Sequence, residues 1–192
     1  FDDQGDNANT RQFLQGIAGK YPCYYVAGNH EYWAGRDAFA DMAAFLESCD
    51  IQVLRGDTQA MEIRGQNMYI CGADDPEAFD FSTMEHQLEA MKAQTETDVF
   101  TLLLSHRPEY FETYARYGFD LALCGHAHGG QWRIPLLVNG VYAPNQGMWP
   151  DYAGGLYEKE GTAMIVSRGL ARETTQVPRI FNRPELVVID LK

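Results

Sequence analysis

Apolar and polar residues alternate over about two thirds of the chain in blocks that predict strands separated by helices. Helical spacing over residues 8–20 and 36–48 predicts two helices, each with one apolar face. Short apolar runs at residues 23–27, 99–104 and 121–124 predict buried strands. This succession of elements is typical of the α/β class.

A hairpin and a third helix are predicted in the middle of the chain. Residues 59–63 and 68–71 have the composition of two strands joined by a tight connection. Ser82 lies three residues before Glu85, an arrangement that predicts a capping box at the start of a helix over residues 82–95.

The second half of the chain is predicted to be rich in short strands. A short helix is expected from Pro108 through Tyr114, because proline suits the first turn of a helix. Beyond Gly130 we predict strands at residues 141–143, 162–167 and 185–191. No internal repeat and no low-complexity linker interrupts the chain, so we predict a single domain over residues 1–192.

Composition and charge narrow the possible functions. The formal net charge of −12 disfavours a broad nucleic-acid surface, since phosphate backbones are bound by clustered Lys and Arg. The four cysteines are widely spread, which favours reduced core residues over a disulfide framework. No apolar stretch approaches the roughly 20 residues that cross a bilayer, and no signal peptide is visible. We therefore expect this chain itself to be soluble.

Polar clusters follow three of the predicted strands, and they contain four of the five histidines. Residues 28–31 (Gly-Asn-His-Glu), 105–106 (Ser-His) and 125–128 (Gly-His-Ala-His) each come directly after an apolar run. In an open α/β sheet, ligands bind beyond the carboxyl ends of the strands. We therefore expect the three clusters to converge on one site.

The residue types in these clusters are those of a metal centre. In an extended segment His126 and His128 point the same way, and glycines at 125, 129 and 130 allow close backbone approach. Imidazole nitrogens together with the amide oxygen of Asn29 suit Mn, Fe or Zn rather than Ca. The alternative interpretations are a hydrogen-bonded turn histidine at each strand end, and a turn at residues 28–31 with Asn29 as helix cap.

The three clusters, in this order, resemble the last three signature motifs of the calcineurin-like metallophosphoesterases. Further stretches resemble a bacterial branch of that family that is often membrane-tethered or exported: Gly129-Gly130-Gln131, Ala143-Pro144, Gly155-Leu156-Tyr157, Ser167-Arg168-Gly169-Leu170 and Asn182-Arg183-Pro184-Glu185. The resemblance covers essentially the whole chain. It implies an α/β fold of mixed β-sheets in a β-sandwich flanked by helices, here lacking the N-terminal strands.

The resemblance also implies roles for individual residues. Asn29, His106 and His126 match ligands of one metal, and His128 matches a ligand of the other. His30 matches a catalytic histidine beside the leaving group. In such enzymes a hydroxide between two divalent ions (Mn, Fe or Zn) attacks a phosphomonoester or phosphodiester, so the expected partner is a small phosphate ester.

The resemblance further implies that two motifs are missing. The family pattern opens with Asp-x-His and Gly-Asp-x-x-Asp, and neither precedes Gly28 here. Asp2 matches the last Asp of the second motif, which suggests an Asp2–His30 pair; a solvated acidic terminus is the alternative. We therefore expect two metal ions in an intact parent, one or none in this chain, and weak or no activity here. An exposed sheet edge would favour self-association.

Several alternatives remain open on the sequence alone. A catalytically silent scaffold or binding module of the same fold competes with the hydrolase. Arg107 and Arg168 are candidates for substrate phosphate, against ordinary structural arginines. The parent is expected to be a membrane-associated or exported bacterial protein.

Overall fold

A computed structural model describes residues 1, 7–170 and 178–191, which pack as two compact units. The first unit comprises Phe1–Val99 and the second Phe100–Lys192. The expectation of one domain over residues 1–192 stays a prediction.

The described part of the first unit combines helices with two pairs of strands. Its elements are α1 (Ala8–Ile17), β1 (Cys23–Tyr25), α2 (Asn29–Trp33), α3 (Arg36–Ser48), β2 (Ile51–Val53), β3 (Asp57–Ile63), β4 (Gln66–Gly72) and α4 (Phe81–Ala93). Strands β1 and β2 pair in parallel, whereas β3 and β4 pair antiparallel.

The apolar face of α3 forms a core with the β1–β2 pair. Met42 and Leu46 are buried on this helix and pack in one cluster with Cys49 and Ile51. Four-residue spacing places Met42 and Leu46 on the same side of the helix, which is why the sequence pattern predicted α3 correctly over Arg36–Ser48.

The predicted hairpin is confirmed, and its strands are longer than the apolar pattern indicated. Arg64 and Gly65 connect β3 to β4, and both have positive φ angles, 54° and 80°. A two-residue turn with both central residues in this region matches the right-handed twist of paired strands.

The second unit is built on a mixed sheet. Its elements within the described residues are β5 (Phe100–Leu104), a 3₁₀ turn (Pro108–Tyr110), α5 (Phe111–Arg116), β6 (Leu121–Cys124), a second 3₁₀ turn (His128–Gly130), β7 (Tyr142–Ala143), β8 (Gly147–Met148), β9 (Gly155–Lys159) and β10 (Thr162–Val166). Strands β5, β6 and β10 run parallel, and β9 runs antiparallel to β10. The predicted α/β class with mixed sheets and helices is confirmed.

The parallel register brings strand ends to one edge of this sheet. Leu104 lies opposite Leu123, and Cys124 lies opposite Val166. The carboxyl ends of three parallel strands therefore meet at the edge where ligands collect in sheets of this type.

Two local predictions are wrong. Helix α4 is capped by Asp80, whose carboxylate accepts a hydrogen bond from the Thr83 N–H at 2.7 Å, so Ser82 is not the cap of a capping box. The segment 185–191 is not a strand. The one backbone bond that the described residues give it runs from Glu185 N–H to Gly169 O, and alternating apolar residues cannot form a strand without a paired ladder.

Smaller differences concern element ends and the cysteines. Helix α1 ends at Ile17, three residues before the predicted end, in a turn that includes Gly19 at a φ of 66°. All four cysteines are free, as expected. Burial, followed by the charge of Glu109, raises the pKa of the Cys124 thiol. Among the helices of the described ranges, none has both the length and the apolar character to cross a membrane.

The packing of the second unit predicts a large difference between two equivalent substitutions on its sheet. Leu103 on β5 is fully buried, whereas Leu156 on the edge strand β9 is 60% exposed. Leu103→Ala should lower the free energy of unfolding by about 2–5 kcal/mol, because it leaves a cavity. Leu156→Ala should change it by less than about 0.5 kcal/mol. Urea denaturation followed by circular dichroism measures both, and equal losses would contradict this packing.

Candidate metal centre

The pairing of β5 with β6 continues beyond the ends of both strands. Ser105 N–H donates to Leu123 O at 3.1 Å, and Gly125 N–H donates to His106 O at 3.2 Å. These two bonds keep the segments after β5 and β6 side by side. They are the reason that residues 20 apart in sequence meet at the sheet edge.

His106 and His126 are in direct contact at this edge. Nδ1 of His126 lies 3.0 Å from Nε2 of His106, and the ring centroids are 4.8 Å apart. His126 is buried, whereas His106 is partly exposed. This contact is the part of the predicted site that the second unit brings together.

The backbone after β6 is not extended, which corrects the predicted arrangement of His126 and His128. Both residues have positive φ angles, 59° and 50°, and His128–Gly130 forms a 3₁₀ turn. The side chain of His128 approaches Gln131, with Nδ1 3.4 Å from Nε2. Left-handed backbone at non-glycine residues is sparsely populated and clusters at functional sites.

Two glycines hold this loop close to its neighbours, as the sequence predicted. A Cβ atom at Gly129 would lie 2.3 Å from Asn182 Oδ1, and one at Gly130 would lie 2.3 Å from Gly140 Cα. Asn182 Nδ2 also donates to His128 O at 2.7 Å and to Gln131 O at 3.2 Å. The loop conformation therefore depends on packing and amide bonds that reach it from distant parts of the second unit.

A buried tyrosine fixes the segment that carries His106. Tyr114 OH donates to Arg107 O at 2.6 Å and lies 2.8 Å from Ser105 Oγ. Because the phenolic hydrogen is used on Arg107 O, the Ser105 hydroxyl is the donor in the second bond. Tyr114 is fully buried on α5, so this clamp belongs to the core of the unit.

Arg107 and Asn145 surround the other nitrogen of His126. Arg107 Nη1 donates to Asn145 Oδ1 at 2.7 Å, and His126 Nε2 lies 2.8 Å from the same oxygen. Arg107 is only 3% exposed, and Glu109 approaches it at 3.5 Å. Arg107 is therefore part of the surroundings of His126.

Arg168 is an ion-paired residue. Its Nε donates to Glu185 Oε2 at 2.8 Å, and its Nη2 contacts the same oxygen. Its stem packs against the loop, since its Cγ would lie 2.8 Å from a Cβ atom at Gly129. A role of Arg168 toward substrate phosphate stays a prediction.

In the first unit, Asn29 and His30 begin helix α2. Asn29 is buried, and the His30 ring lies 5.0 Å from the Trp33 ring between centroids. The N-cap is Gly28, whose N–H donates to Glu31 Oε2 at 2.8 Å. The interpretation of Asn29 as the helix cap is therefore wrong.

A polar network ties α2 to the segment after β4. Tyr32 OH donates to Asp74 Oδ1 at 2.5 Å, and Gln87 Nε2 donates to Asp74 Oδ2 at 3.0 Å. Burial, then the hydrogen bond to Asp74 and its charge, raise the pKa of Tyr32 above its ordinary value. The hydroxyl therefore remains a donor, which holds the helix that carries Asn29 and His30.

Other parts of the predicted site stay predictions. Asp2 lies outside the described residues, so the Asp2–His30 pair cannot be placed. Asn29 and His30 belong to the first unit, while His106, His126 and His128 belong to the second. Within the described ranges, no three His, Cys, Asp or Glu side chains gather into a metal-binding group.

The His106–His126 pair nevertheless fits a divalent metal ion. Two imidazole nitrogens bound to one ion at about 2.0–2.1 Å lie about 3 Å apart when they subtend a right angle. Nδ1 of His126 and Nε2 of His106 are 3.0 Å apart. Metal-binding histidines also donate their second ring N–H to an oxygen acceptor, and Asn145 Oδ1 is in that position for His126.

The sequence did not indicate Asn145 or Asn182 as part of this site. Pro144-Asn145 is a turn signal, which could have placed Asn145 on a tight turn. No sequence pattern connects that turn with His126. Asn182 lies 54 residues from His128, and nothing in its neighbourhood marks it as the partner of a distant carbonyl group.

Comparisons with known proteins place this arrangement in a family. An uncharacterized metallophosphoesterase of Aquifex aeolicus (strain VF5) is 29% identical over 88% of this chain and 60% of its own length. One of Campylobacter jejuni is 30% identical over 97% of this chain and 46% of its own. The phosphodiesterase YaeI of Escherichia coli (strain K12) is 28% identical over 93% of this chain and 61% of its own.

The chain thus spans about half to three fifths of these relatives. No family model matches the chain. A crystal structure of a hypothetical protein from Thermus thermophilus aligns with a TM-score of 0.37 at 14% identity, over 82% of this chain and 69% of that one; this similarity is too low to support an argument. The motif order and the relatives that match most of the chain agree, and the chain belongs to the calcineurin-like metallophosphoesterase family.

Proposed function

We propose that the full-length protein hydrolyses a small phosphate monoester or diester with the help of bound divalent metal ions. The observation that carries this proposal is the contact between His126 Nδ1 and His106 Nε2 at 3.0 Å. The two residues follow neighbouring parallel strands, and they come from two of the three motifs that resemble the family's signatures. The names of the relatives support the same class of reaction.

In this proposal each motif residue has a defined task. Asn29, His106 and His126 would hold one ion (Mn, Fe or Zn), and His128 would help to hold a second. Such ions, when bound, lower the pKa of water and neutralise charge that develops on phosphoryl oxygens. The protein contributes the fixed positions of its ligands, which on the His106 side depend on Tyr114 and the β5–β6 backbone bonds.

His30 is assigned the proton transfer. Its place on α2 is fixed by the bond from Gly28 N–H to Glu31 and by the Tyr32–Asp74 bond. A protonated imidazole at this position would donate to the departing oxygen of the substrate, a role typically worth about 10²–10⁴-fold in rate. Asp2 would accept a hydrogen bond from His30 and hold its orientation.

Replacement of His126 tests the metal centre. In the full-length protein, His126→Ala should reduce Mn²⁺ affinity by more than about 10-fold and hydrolysis of bis-p-nitrophenyl phosphate by more than about 100-fold. His86→Ala is the matched control, because His86 is exposed on α4 and should change neither value. Calorimetric titration with Mn²⁺ and a colorimetric assay measure the two effects.

The unaltered protein decides between hydrolase and scaffold in the same experiment. Metal binding with turnover supports the hydrolase. An unaltered full-length protein that binds no Mn²⁺ and releases no nitrophenol would instead indicate the silent scaffold.

Replacement of His30 tests the proton transfer. His30→Gln should leave Mn²⁺ affinity unchanged and slow hydrolysis of a phenyl phosphate ester by about 10²–10⁴-fold. The loss should be much smaller for the p-nitrophenyl ester, because p-nitrophenolate departs without protonation. Equal losses on both esters, or loss of metal, would argue against His30 as the acid; His86→Gln serves as the control.

A further inference from the structure

Asn145 occupies a turn that fixes the direction of its side chain. Gln146 N–H donates to Ala143 O at 3.3 Å, and Asn145 has a φ of 60°. With Pro144 at the second position and a left-handed third residue, this is a type II turn. Strands β7 and β8 flank it, with Tyr142 opposite Met148.

A second pair of bonds keeps the turn in place. Gln146 Nε2 donates to Tyr152 O at 3.1 Å, and Tyr152 N–H donates to Gln146 Oε1 at 2.9 Å. Asparagine tolerates the left-handed conformation, so Asn145 suits this position without backbone strain. The amide of Asn145 is therefore held on a rigid support although the residue itself is exposed.

The contact with Arg107 identifies which amide atom faces His126. A guanidinium group only donates hydrogen bonds, so the atom 2.7 Å from Arg107 Nη1 has to be the oxygen of Asn145. His126 Nε2 lies 2.8 Å from the same oxygen. Since that oxygen only accepts, His126 Nε2 carries a hydrogen and donates it.

The approach of Arg107 to His126 agrees with this assignment. Arg107 Nη1 lies 3.2 Å from His126 Nε2, but both atoms are donors that converge on Asn145 Oδ1. A carbonyl oxygen has two lone pairs and can accept both hydrogens. The opposite tautomer would place a nitrogen lone pair against the amide oxygen and lose one of these bonds.

The geometry points to Asn145, supported by Arg107, as a positioning residue that sets the tautomer of His126. A neutral imidazole with its hydrogen on Nε2 carries its lone pair on Nδ1. That lone pair is directed at His106 Nε2, 3.0 Å away, and is the one that a divalent cation would use. This inference rests on the proposed function for its purpose, whereas the tautomer itself can be observed without any metal.

Substitutions at residue 145 separate the amide from the backbone. Asn145→Gly removes the amide and keeps the left-handed conformation, while Asn145→Asp keeps an acceptor oxygen. Glu160→Gly is the matched control, because Glu160 also has a positive φ, 51°, in the β9–β10 turn. The register places that turn at the end of β10 opposite to Val166, which pairs with Cys124.

The tautomer is measured in the metal-free full-length protein by ¹⁵N–¹H correlation of the histidine rings. The His126 signals are identified by their absence in His126→Gln. We expect the Nε2–H form in the unaltered protein, in Asn145→Asp and in Glu160→Gly. Asn145→Gly should show a mixture of both neutral tautomers.

Mn²⁺ affinity is the second measurement. Loss of a partner that orients a metal-binding histidine typically weakens metal binding by about 10–100-fold, which we expect for Asn145→Gly. Asn145→Asp should restore affinity to within a few-fold of the unaltered protein, and Glu160→Gly should not change it. A merely structural role of the turn would not produce rescue by aspartate.

The two proposals fail in different ways. An Nδ1–H tautomer in the unaltered protein, or unchanged tautomer and affinity in Asn145→Gly, overturns the inference about Asn145. An Nε2–H tautomer in a protein that hydrolyses no phosphate ester leaves the inference standing and overturns the proposed function. Because the unaltered protein reports the tautomer, poor folding of a variant does not remove the test.

Discussion

The parallel pairing of β5 with β6 is the constraint on which the candidate centre depends. Two backbone bonds, Ser105 N–H to Leu123 O and Gly125 N–H to His106 O, extend this ladder past the last residue of each strand. They bring two loops into contact before any side chain takes part. The imidazoles of His106 and His126 then meet at 3.0 Å because their backbones are already neighbours. The chemistry of the site is thus a consequence of sheet register.

Around this contact the second unit places its supports on different elements. Tyr114 on α5 holds the segment before His106 from the core side. Asn145 on the β7–β8 turn contacts the far side of His126, and Asn182 holds the carbonyl of His128. Each support is a directional hydrogen bond from a residue outside the histidine motifs. A loop with several left-handed residues is stabilised in this way without a regular ladder of its own.

The sequence predicted those features that depend on local patterns and on the general rules of parallel sheets. The apolar runs located β5 and β6, and the rule that ligands gather at carboxyl ends of strands paired His106 with His126. The sequence did not predict the left-handed backbone of His126, since that conformation is imposed by packing around the loop. It also missed Asn145, because its contact with His126 depends on a turn whose position relative to β6 is set by tertiary structure. The alternating apolar residues at 185–191 indicated a strand, but a strand needs a partner that local sequence cannot supply.

The bond from Asn182 to the carbonyl of His128 has a practical consequence for anyone who shortens this polypeptide. Residues near its carboxyl side, well separated from the histidine motifs, act as an internal brace for the loop that carries His128. Deleting them would leave the histidine spelling intact while removing an anchor of its geometry. Boundaries for expression are therefore better chosen from this brace than from the last recognisable motif.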